Sequence, residues 1–277
     1  MKRPLLLRLA PAQIRTPLYY RFYRARREQW RALFTDAPLQ FAPQFKMELA
    51  SQDEAHGEIA FTGFYELMLS RRIAGDARRG GFLVDVGANY GYFTLLWLAG
   101  ASQNRALAFE ASPANHVALR ANLARNQCAD RVEFLEVAAG KERGTAQFSL
   151  GDQGQTGWGG ITTEKSASET VVPVTTLDET IPGNAIVDVL KVDVEGADTW
   201  VLQGAEKLLK ERRIRQIYYE QNHTRMKALG VARSEAADFL RSVGYASSIL
   251  TGEGTDIVEW EARPAQASPV GRRSAEP

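Results

Sequence analysis

Residues 82–96 read FLVDVGANYGYFTLL, and this stretch decides the fold. Its first part, Phe82–Val86, has the composition of a buried strand. The strand leads directly into a turn that contains Gly87 and Gly91, and a second apolar stretch follows the turn. A strand that passes through a glycine-containing turn into a helix indicates an α/β fold in which a ligand lies against the exposed backbone of the turn.

Strand-like and helix-like segments alternate along the chain after residue 82. This alternation predicts a mostly parallel, doubly wound sheet with helices on both faces. Because only TGEGT separates the last two strands, they are predicted to form an antiparallel hairpin. The predicted fold class is therefore α/β, a Rossmann-like sheet in the version typical of methyltransferases. Its seven predicted strands are Phe82–Val86, Arg105–Phe109, Val132–Val137, Val187–Val192, Ile214–Tyr219, Tyr245–Leu250 and Asp256–Trp260.

The sequence divides into three predicted parts. Residues 1–75 form a basic, helical extension that includes a small β element in FKMELASQDEAHGEIAFTGFYE. Residues 76–262 form the sheet domain, with an insertion made of a hairpin and a loop at residues 140–176. Residues 263–277 are rich in Pro, Ala and Ser, a composition that predicts a disordered tail.

Composition limits the function classes. The chain has 277 residues, a net charge of +1, one cysteine and three histidines. This content excludes a disulfide framework, a zinc site built from cysteines and a cage of histidine ligands. A single cysteine fits a reducing compartment, so a cytoplasmic location is expected.

Residues 1–31 carry nine Lys or Arg and one acid, with aromatic residues interleaved. Two interpretations of this segment stay open. It would either rest on an anionic surface at the inner face of a membrane, or form a leading helix that packs its aromatics on the domain and leaves its arginines in solvent. The run LLLRLA is too short for a signal peptide or a membrane span.

The turn after the first strand suits a ligand without a pyrophosphate. An NAD fingerprint needs a further glycine between Gly87 and Gly91, and a P-loop needs Gly-Lys-Ser/Thr. S-adenosylmethionine fits better. Asp85 would bind its ammonium, directly or through water, and Gly87 and Asn89 would offer donors to its carboxylate. Glu110, at the end of the second strand, would accept hydrogen bonds from the ribose hydroxyls.

The predicted catalytic residues follow the fourth and fifth strands, at the same edge of the sheet. Asp193 and Glu195 belong to KVDVEG, and Glu220 and His223 belong to YYEQNH. Methyl transfer to an alcohol needs alignment and an acceptor for the hydroxyl proton, and Asp193 is the first choice for that acceptor. The alternatives are a structural Lys191–Asp193 pair with Glu195 as a helix cap, and a solvent-exposed His223. The three carboxylates would also suit Mg²⁺, or would hydrogen-bond a sugar diol without a metal.

Two residues outside the sheet are predicted to contact the acceptor. His56 precedes the first strand and would fold over the site. Trp158, in the glycine-rich segment GDQGQTGWGG, would stack on a sugar ring or an apolar acceptor if the loop closes as a lid. His116, on the helix after the second strand, is predicted to be a surface residue.

Four motifs in order resemble the FkbM family of S-adenosylmethionine-dependent methyltransferases. They are VDVGANYGYFTLL, AFEASPANHVALRANLARN, VTTLDETI and DVLKVDVEGADTWVLQGAEKLLK. The resemblance covers residues 53–220 approximately and implies O-methylation of a sugar, a polyketide or another secondary metabolite. Asp198 stands where the family usually has Glu. The cofactor contacts implied here are Asp85, Gly87, Asn89, Tyr90, Gly91 and Glu110.

Other functions remain as alternatives. An RNA methyltransferase would usually carry Asn/Asp-Pro-Pro-aromatic after the fourth strand, where this chain has DVEG, so no nucleic-acid partner is expected. A non-catalytic scaffold would keep the fold and bind a partner through the basic N-terminus. The expected partner is a small-molecule or glycan hydroxyl acceptor.

Overall fold

The computed structural model describes residues 2–151, 155–163 and 169–265. The part before the central sheet is mainly helical and buries some of its aromatic rings, whereas Tyr20 and Phe22 are exposed. Tyr19 is fully buried, and its ring centroid lies 5.1 Å from that of Phe61. The elements of this part are α1 (Leu5–Leu9), α2 (Ala12–Phe22), a 3-10 helix (Arg24–Trp30), α3 (Ala32–Thr35), β1 (Ala37–Pro38), β2 (Lys46–Met47), α4 (Glu54–Thr62) and α5 (Leu67–Ala77).

The predicted small β element is mostly helical, so that prediction is wrong beyond β2. Asp53 caps α4 by accepting a hydrogen bond of 2.9 Å from the His56 N–H. Gly63 ends the helix in the left-handed conformation, with φ of 96°. Capping residues at both ends therefore outweigh the apparent alternation of apolar and polar residues.

Seven of the later strands form the central sheet, in the order β12-β13-β11-β10-β3-β4-β5. The later elements are β3 (Phe82–Val86), α6 (Tyr92–Gly100), β4 (Arg105–Phe109), α7 (Pro113–Arg125), a 3-10 helix (Ala129–Arg131), β5 (Val132–Leu135), β6 (Ala138–Ala139), β7 (Gly144–Ser149), β8 (Gly160–Ile161), β9 (Glu169–Thr175), α8 (Leu177–Thr180), β10 (Val189–Val192), α9 (Asp198–Gln203), α10 (Glu206–Lys210), β11 (Ile217–Asn222), α11 (His223–Ala228), α12 (Glu235–Ser242), β12 (Tyr245–Thr251) and β13 (Ile257–Pro264). Neighbours from β11 to β5 are parallel, and β13 is antiparallel to β11 and β12. The predicted fold class is confirmed.

The sheet reverses its winding direction between β3 and β10. From β3 the chain adds β4 and β5 on one side, and it later returns to place β10 and β11 on the other side. In sheets of this kind, ligands bind beyond the carboxyl ends of the strands that flank the reversal. Gly87 and Asp193 directly follow β3 and β10, so they lie where the fold predicts a site.

Alternate residues of the strands face two different cores. Leu83 and Val189 pack in the cluster that includes the N-terminal helices, whereas Val84 and Leu190 pack in the cluster that includes α9, α10 and α12.

The predicted domain boundary at residue 75 lies inside α5. Because the N-terminal helices share one core with β3 and β10, the extension and the sheet domain are not separate packing units.

The insertion between β5 and β10 forms a second sheet, in the order β6-β9-β7-β8. Strands β7 and β9 pair in the antiparallel direction, but β8 lies between them in the chain and pairs with the other edge of β7, so the insertion is more than the predicted hairpin. The part of the predicted lid at residues 152–154 lies outside the described residues. The second sheet stands beside the carboxyl ends of β3 and β4 and places Phe148 against the space next to Glu110.

The C-terminal end of the described chain belongs to the central sheet. Strand β13 continues to Pro264, and the Ala265 N–H donates to the Gly244 carbonyl at 3.0 Å, so the predicted tail does not begin at residue 263. Residues 266–277 lie outside the described residues.

Near the N-terminus, Leu5 and Leu9 are exposed, and the membrane contact stays a prediction. Within the described part of the chain, no helix combines the length and the apolar character needed to cross a bilayer.

Candidate active site

A buried ion pair lies beneath the carboxyl ends of β3 and β10. Asp85 and Lys191 are direct partners in the parallel register, and their side chains are 0% and 2% exposed. The Lys191 Nζ lies 3.6 Å from Asp85 Oδ1 and 3.3 Å from Asp193 Oδ2, and it donates to the Gly87 carbonyl at 2.9 Å. Burial lowers the pKa of Lys191, but attraction to Asp193 and Asp85 outweighs burial, so the net shift is upward.

This arrangement gives Asp85 an interior position. Its Oδ2 accepts a hydrogen bond of 2.6 Å from the Thr94 hydroxyl, and its Oδ1 faces Lys191. Asp85 does not line either of the two cavities described below. Asp85 holds Lys191 and helix α6 in place, and its predicted contact with the cofactor ammonium, directly or through water, stays a prediction.

The sheet register also places carboxylates in a row at the rim. Side chains two residues apart on a strand lie on the same face, so Asp193 follows Lys191 there. Glu220 lies on the same face of β11 and pairs directly with Glu259 of β13. Burial first, and repulsion from Asp193 second, raise the pKa of Glu220 well above its usual range and that of Glu259 to about 7.

The backbone donors of the turn after β3 are already used within the protein. The Gly87 and Ala88 N–H groups donate to the Phe109 carbonyl at 3.0 and 2.9 Å, and the Asn89 N–H donates to Glu110 Oε2 at 2.7 Å. These backbone donors are therefore not free to serve a cofactor carboxylate, but Gly87 and Asn89 both line the cavities, and their contact with a cofactor stays a prediction. Gly87 has φ of 78°, and a Cβ there would collide with the Asp193 carbonyl oxygen, so this position requires glycine.

Glu110 lies at the end of β4 with its carboxylate held by two backbone amides. Oε2 accepts from Asn89, and Oε1 accepts from the Ser112 N–H at 2.8 Å. Each oxygen keeps a second lone pair. Burial raises the pKa of Glu110 to about 7. His116, predicted to be a surface residue, is instead partly buried, and its Nε2 lies 2.9 Å from the Glu110 carbonyl oxygen.

Two cavities meet at the carboxyl ends of β3 and β10. The first has a volume of about 600 Å³, including solvent at its mouth, and is lined by Glu110, Phe109 and Phe148 among others. The second has a volume of about 760 Å³ on the same basis and lies toward the N-terminal extension. Their walls share Gly87, Asn89, Gly157 and Asp193, so a group bound in one cavity can reach a group bound in the other.

The cavities separate the predicted site residues into groups. Those in the wall of the second cavity are His56, Tyr90, Trp158, Asp193, Glu195 and Glu220. Glu110 lines only the first cavity, whereas Tyr90 lines only the second and packs against His56 there. These two predicted cofactor contacts therefore lie on different sides of the site. Gly91 lines neither cavity and begins α6 as its N-cap. His223 also lines neither; it begins α11, and its backbone N–H donates to the Asp256 carbonyl at 2.9 Å.

His56 is buried at 3% exposure, and both ring nitrogens have partners. Nδ1 accepts from the Ala50 N–H at 3.1 Å, and Nε2 lies 3.2 Å from Asn89 Oδ1. Because Asn89 Oδ1 is an acceptor, this network assigns the proton of the neutral ring to Nε2. Burial lowers the pKa of His56, which favours that neutral form. His56 therefore positions Asn89 and has no free ring nitrogen for the predicted acceptor.

The described part of the glycine-rich loop lies across the site. The Thr156 N–H and hydroxyl both donate to Asp53 Oδ2, at 2.6 and 3.0 Å, and the Asn115 side chain donates to the Thr156 carbonyl at 3.0 Å. Arg225 donates to the Trp158 carbonyl, and the indole remains 52% exposed at the cavity edge. The described part of the loop thus lies over the site, and movement of the loop as a lid stays a prediction.

Sequence reasoning missed Glu66 and Glu259. Glu66 directly precedes α5 with φ of 45°, and it lines a small pocket together with Asp193, Glu220 and Glu259. Burial and the Glu259 carboxylate raise the pKa of Glu66 well above its usual range. The sequence offers one sign of Glu66, which is an acid placed between apolar residues in FYELML. It does not show which residues that acid would face. Glu195, expected to belong with Asp193 and Glu220, accepts from Asn222 at 2.9 Å instead.

Comparison with known proteins identifies a family. Similar solved structures include the FkbM methyltransferase from Methylobacillus flagellatus KT, at 15% identity and a TM-score of 0.49 over 66% of this chain and 43% of that chain. Another is precorrin-6y C5,15-methyltransferase from Geobacter metallireducens GS-15, at 12% identity and a TM-score of 0.44 over 72% of this chain and 88% of that chain. The chain thus spans less than half of the Methylobacillus protein.

No curated protein matches the sequence. The family model of the methyltransferase FkbM domain, however, matches residues 85–247, which is more than half of the chain. The matched range contains the glycine turn, Glu110 and the strand that Asp193 follows. The chain therefore belongs to the FkbM family of S-adenosylmethionine-dependent methyltransferases.

Proposed function

We propose that this chain transfers a methyl group from S-adenosylmethionine to a hydroxyl oxygen of a small molecule or glycan. The observation that carries the proposal is the meeting of two cavities at Asp193. One cavity contains a buried carboxylate that suits a ribose diol, and the other is lined by aromatic rings and carboxylates. A donor and an acceptor bound in these cavities would meet beside a group able to take a proton.

The residues of the first cavity fit an adenosyl group. The Glu110 oxygens each retain an acceptor site for a ribose hydroxyl, and a carboxylate is the strongest acceptor for such a pair. Phe109, Val137, Phe148 and Ile161 give the wall an apolar part, which suits a flat base. When bound, the cofactor would supply a methyl group activated by a sulfonium.

The second cavity fits a polyhydroxylated acceptor. Tyr65, Tyr90 and Trp158 present aromatic rings, while Glu195 and Glu220 present carboxyl groups. Aromatic faces bind the apolar face of a sugar ring, and carboxyl groups bind its hydroxyls. This combination favours a sugar or another polyol over an apolar acceptor.

Asp193 would orient the acceptor hydroxyl and take its proton. Its Oδ2 faces Lys191 at 3.3 Å, so Oδ1 is the oxygen proposed to receive the proton as the new C–O bond forms. The side chain is 25% exposed, which leaves it accessible to an acceptor. Because Lys191 is anchored to Asp85 and to the Gly87 carbonyl, the Asp193 carboxylate is held in a fixed position for this step.

The cofactor site is tested by calorimetric titration with S-adenosylhomocysteine. We expect the wild type to bind and Glu110→Ala to lose about 10–100-fold in affinity, because hydrogen bonds to a charged group contribute about 1.5–3 kcal/mol. Glu206→Ala, which removes an exposed acid that pairs with Lys210 on α10, is the matched control and should bind like the wild type. Absence of binding by folded wild type would contradict the proposal and favour the scaffold alternative.

The same titration should depend on pH. Since burial raises the pKa of Glu110 to about 7, the ionised carboxylate prevails only above that value. Affinity for S-adenosylhomocysteine should therefore be about tenfold weaker at pH 6 than at pH 8, and should level off above pH 8. Glu110→Gln should remove this dependence. A wild type whose affinity stays constant from pH 6 to 8 would show that the ribose does not need the ionised form.

The pKa of Glu110 also sets its effect on folding without a ligand. The folded value, about 7, is above the ordinary value of 4.5, so the folded state holds this proton more tightly than the unfolded chain. This group therefore stabilises the folded state fully when the pH is below its ordinary pKa of 4.5. That stabilisation is lost as the pH rises through its folded-state pKa of about 7. Bound cofactor would offset this loss because it binds the ionised carboxylate.

A further inference from the structure

Three carboxylates from separate elements converge beside the second cavity. Glu66 precedes α5, Asp193 follows β10 and Glu220 lies within β11. One oxygen from each lies within 4.8 Å of an oxygen of each of the others. Oxygen ligands of Mg²⁺ or Ca²⁺ lie about 2.0–2.6 Å from the ion, so two ligands on opposite sides are separated by about 4–5 Å. The 4.8 Å limit suits Ca²⁺ as it stands and exceeds the widest spacing around Mg²⁺ by about 0.6 Å, so small rotations of the side chains would let one such ion contact all three.

The burial of Glu220 is a second and independent sign of a missing partner. Glu220 is 8% exposed. Its carboxylate forms no hydrogen bond and no ion pair with any residue in the described ranges 2–151, 155–163 and 169–265. The charged groups that face it are Asp193, Glu66, Glu195 and Asp198, all of which are acidic. Opposite it on β13, Glu259 Oε2 is buried without a hydrogen-bond partner among the described residues. Buried carboxylates of this kind are stable only when a positive charge or a proton neutralises them.

Lys191 does not supply that positive charge to the whole group. Its Nζ is 3.3 Å from Asp193 but is also engaged with Asp85 and with the Gly87 carbonyl. No ion pair joins any described cation to Glu66 or Glu220. One ammonium that is shared with Asp85 leaves an excess of negative charge among Glu66, Asp193, Glu220 and Glu259.

We propose that Glu66, Asp193 and Glu220 bind a divalent cation of the hard, oxygen-preferring type, such as Mg²⁺ or Mn²⁺. Three carboxylate oxygens leave open positions in the octahedral arrangement that these ions prefer. Asp193 and Glu220 also line the second cavity, so the open positions face the place where the acceptor would bind. The ion would hold hydroxyl oxygens of the acceptor there and lower their pKa.

This ligand set differs from the one that the sequence indicates. Glu195 accepts from Asn222 at 2.9 Å and faces Arg225, with Nε at 3.7 Å, so it is already neutralised. Glu66 takes its place in the cluster. Only the role of the ion in acceptor binding rests on the proposed function, whereas binding of the ion itself does not.

The test is titration of the chelator-treated full chain with Mn²⁺ alone, followed by the electron paramagnetic resonance signal of free Mn²⁺. We expect one site per chain. Glu66→Gln and Glu220→Gln should each weaken binding at least tenfold, because each removes one of three ligands. Glu195→Gln is the matched control and should bind within about threefold of the wild type, an effect smaller than 1 kcal/mol. Mn²⁺ should also raise the Tm of the wild type but not that of Glu66→Gln.

Two outcomes would overturn the proposal. A wild type that does not bind millimolar Mn²⁺ would show that protons neutralise the cluster. Binding that survives in both glutamine variants would place the ion elsewhere on the chain. Loss of Mn²⁺ binding in a glutamine variant would not be due to unfolding. Each variant removes a carboxylate that its neighbours repel, so it should be at least as stable as the metal-free wild type. Circular dichroism would check this. Titration with S-adenosylhomocysteine in chelator tests the cofactor site separately, so failure of one proposal is distinguishable from failure of the other.

Discussion

Replacing Lys191 with methionine is expected to lower the free energy of unfolding by about 3–5 kcal/mol, the range found when one partner of a buried ion pair is removed. Asp85 is 0% exposed and would lose its only ion-pair partner in the described structure. The Gly87 carbonyl would also lose its donor. Methionine nearly matches the length and volume of lysine, so the change would remove charge rather than create a cavity.

Chemical denaturation of three variants separates this cause from general damage. Lys191→Met with Asp85→Asn should recover part of the loss, because the double variant leaves no uncompensated charge at position 85. Lys210→Met is the matched surface control, since Lys210 pairs with Glu206 at 61% exposure and should contribute less than about 1 kcal/mol. A Lys191→Met protein as stable as the wild type would show that Asp85 is protonated or reached by water.

Local signals explain why the fold could be predicted. The segment Phe82–Val86 is bounded by glycines and is apolar except for Asp85, so its strand has the predicted ends. Strand β11 was predicted as Ile214–Tyr219 but runs Ile217–Asn222. Its polar end, including Glu220, belongs to the sheet because β13 pairs with it up to Asn222. That pairing joins segments that are far apart along the chain, and the local composition of neither segment reveals it.

The candidate site could be predicted only in part, for the same reason. Glu110 lies in the wall of a cavity as expected, because its place follows from the strand and the turn that contain it. The sequence did not show that the backbone N–H of Asn89 is used within the protein: its left-handed conformation, with φ of 50°, turns that N–H toward Glu110. Glu66 reaches Asp193 only through the packing of α5 across the sheet edge. Contacts between distant elements therefore set the electrostatics of the site.

Asp193→Asn is expected to reduce kcat about 10²–10⁴-fold, the contribution typical of a positioned general base. Asparagine has the same shape, but it neither accepts the hydroxyl proton nor offers the charged oxygen that the proposed cation would bind, so the expected loss of kcat combines both effects. Lys191 would keep Asp85 and the Gly87 carbonyl as partners, so the loss of stability should be smaller than that of Lys191→Met. Affinity for S-adenosylhomocysteine should change by no more than about threefold, because Glu110 and the apolar wall remain.

The rate of S-adenosylhomocysteine formation measures this effect, with the hydroxylated sugar that gives the highest wild-type rate in a panel as acceptor. Asp188→Asn is the matched control, because Asp188 directly precedes β10 at the opposite edge of the sheet and accepts from the Phe82 N–H at 2.8 Å. It should lower stability without changing kcat. If Asp193→Asn kept kcat within about tenfold of the wild type, at unchanged cofactor affinity, proton transfer would not depend on Asp193. The acceptor proton would then go to another carboxyl group of the second cavity, with Glu195 the nearest in sequence.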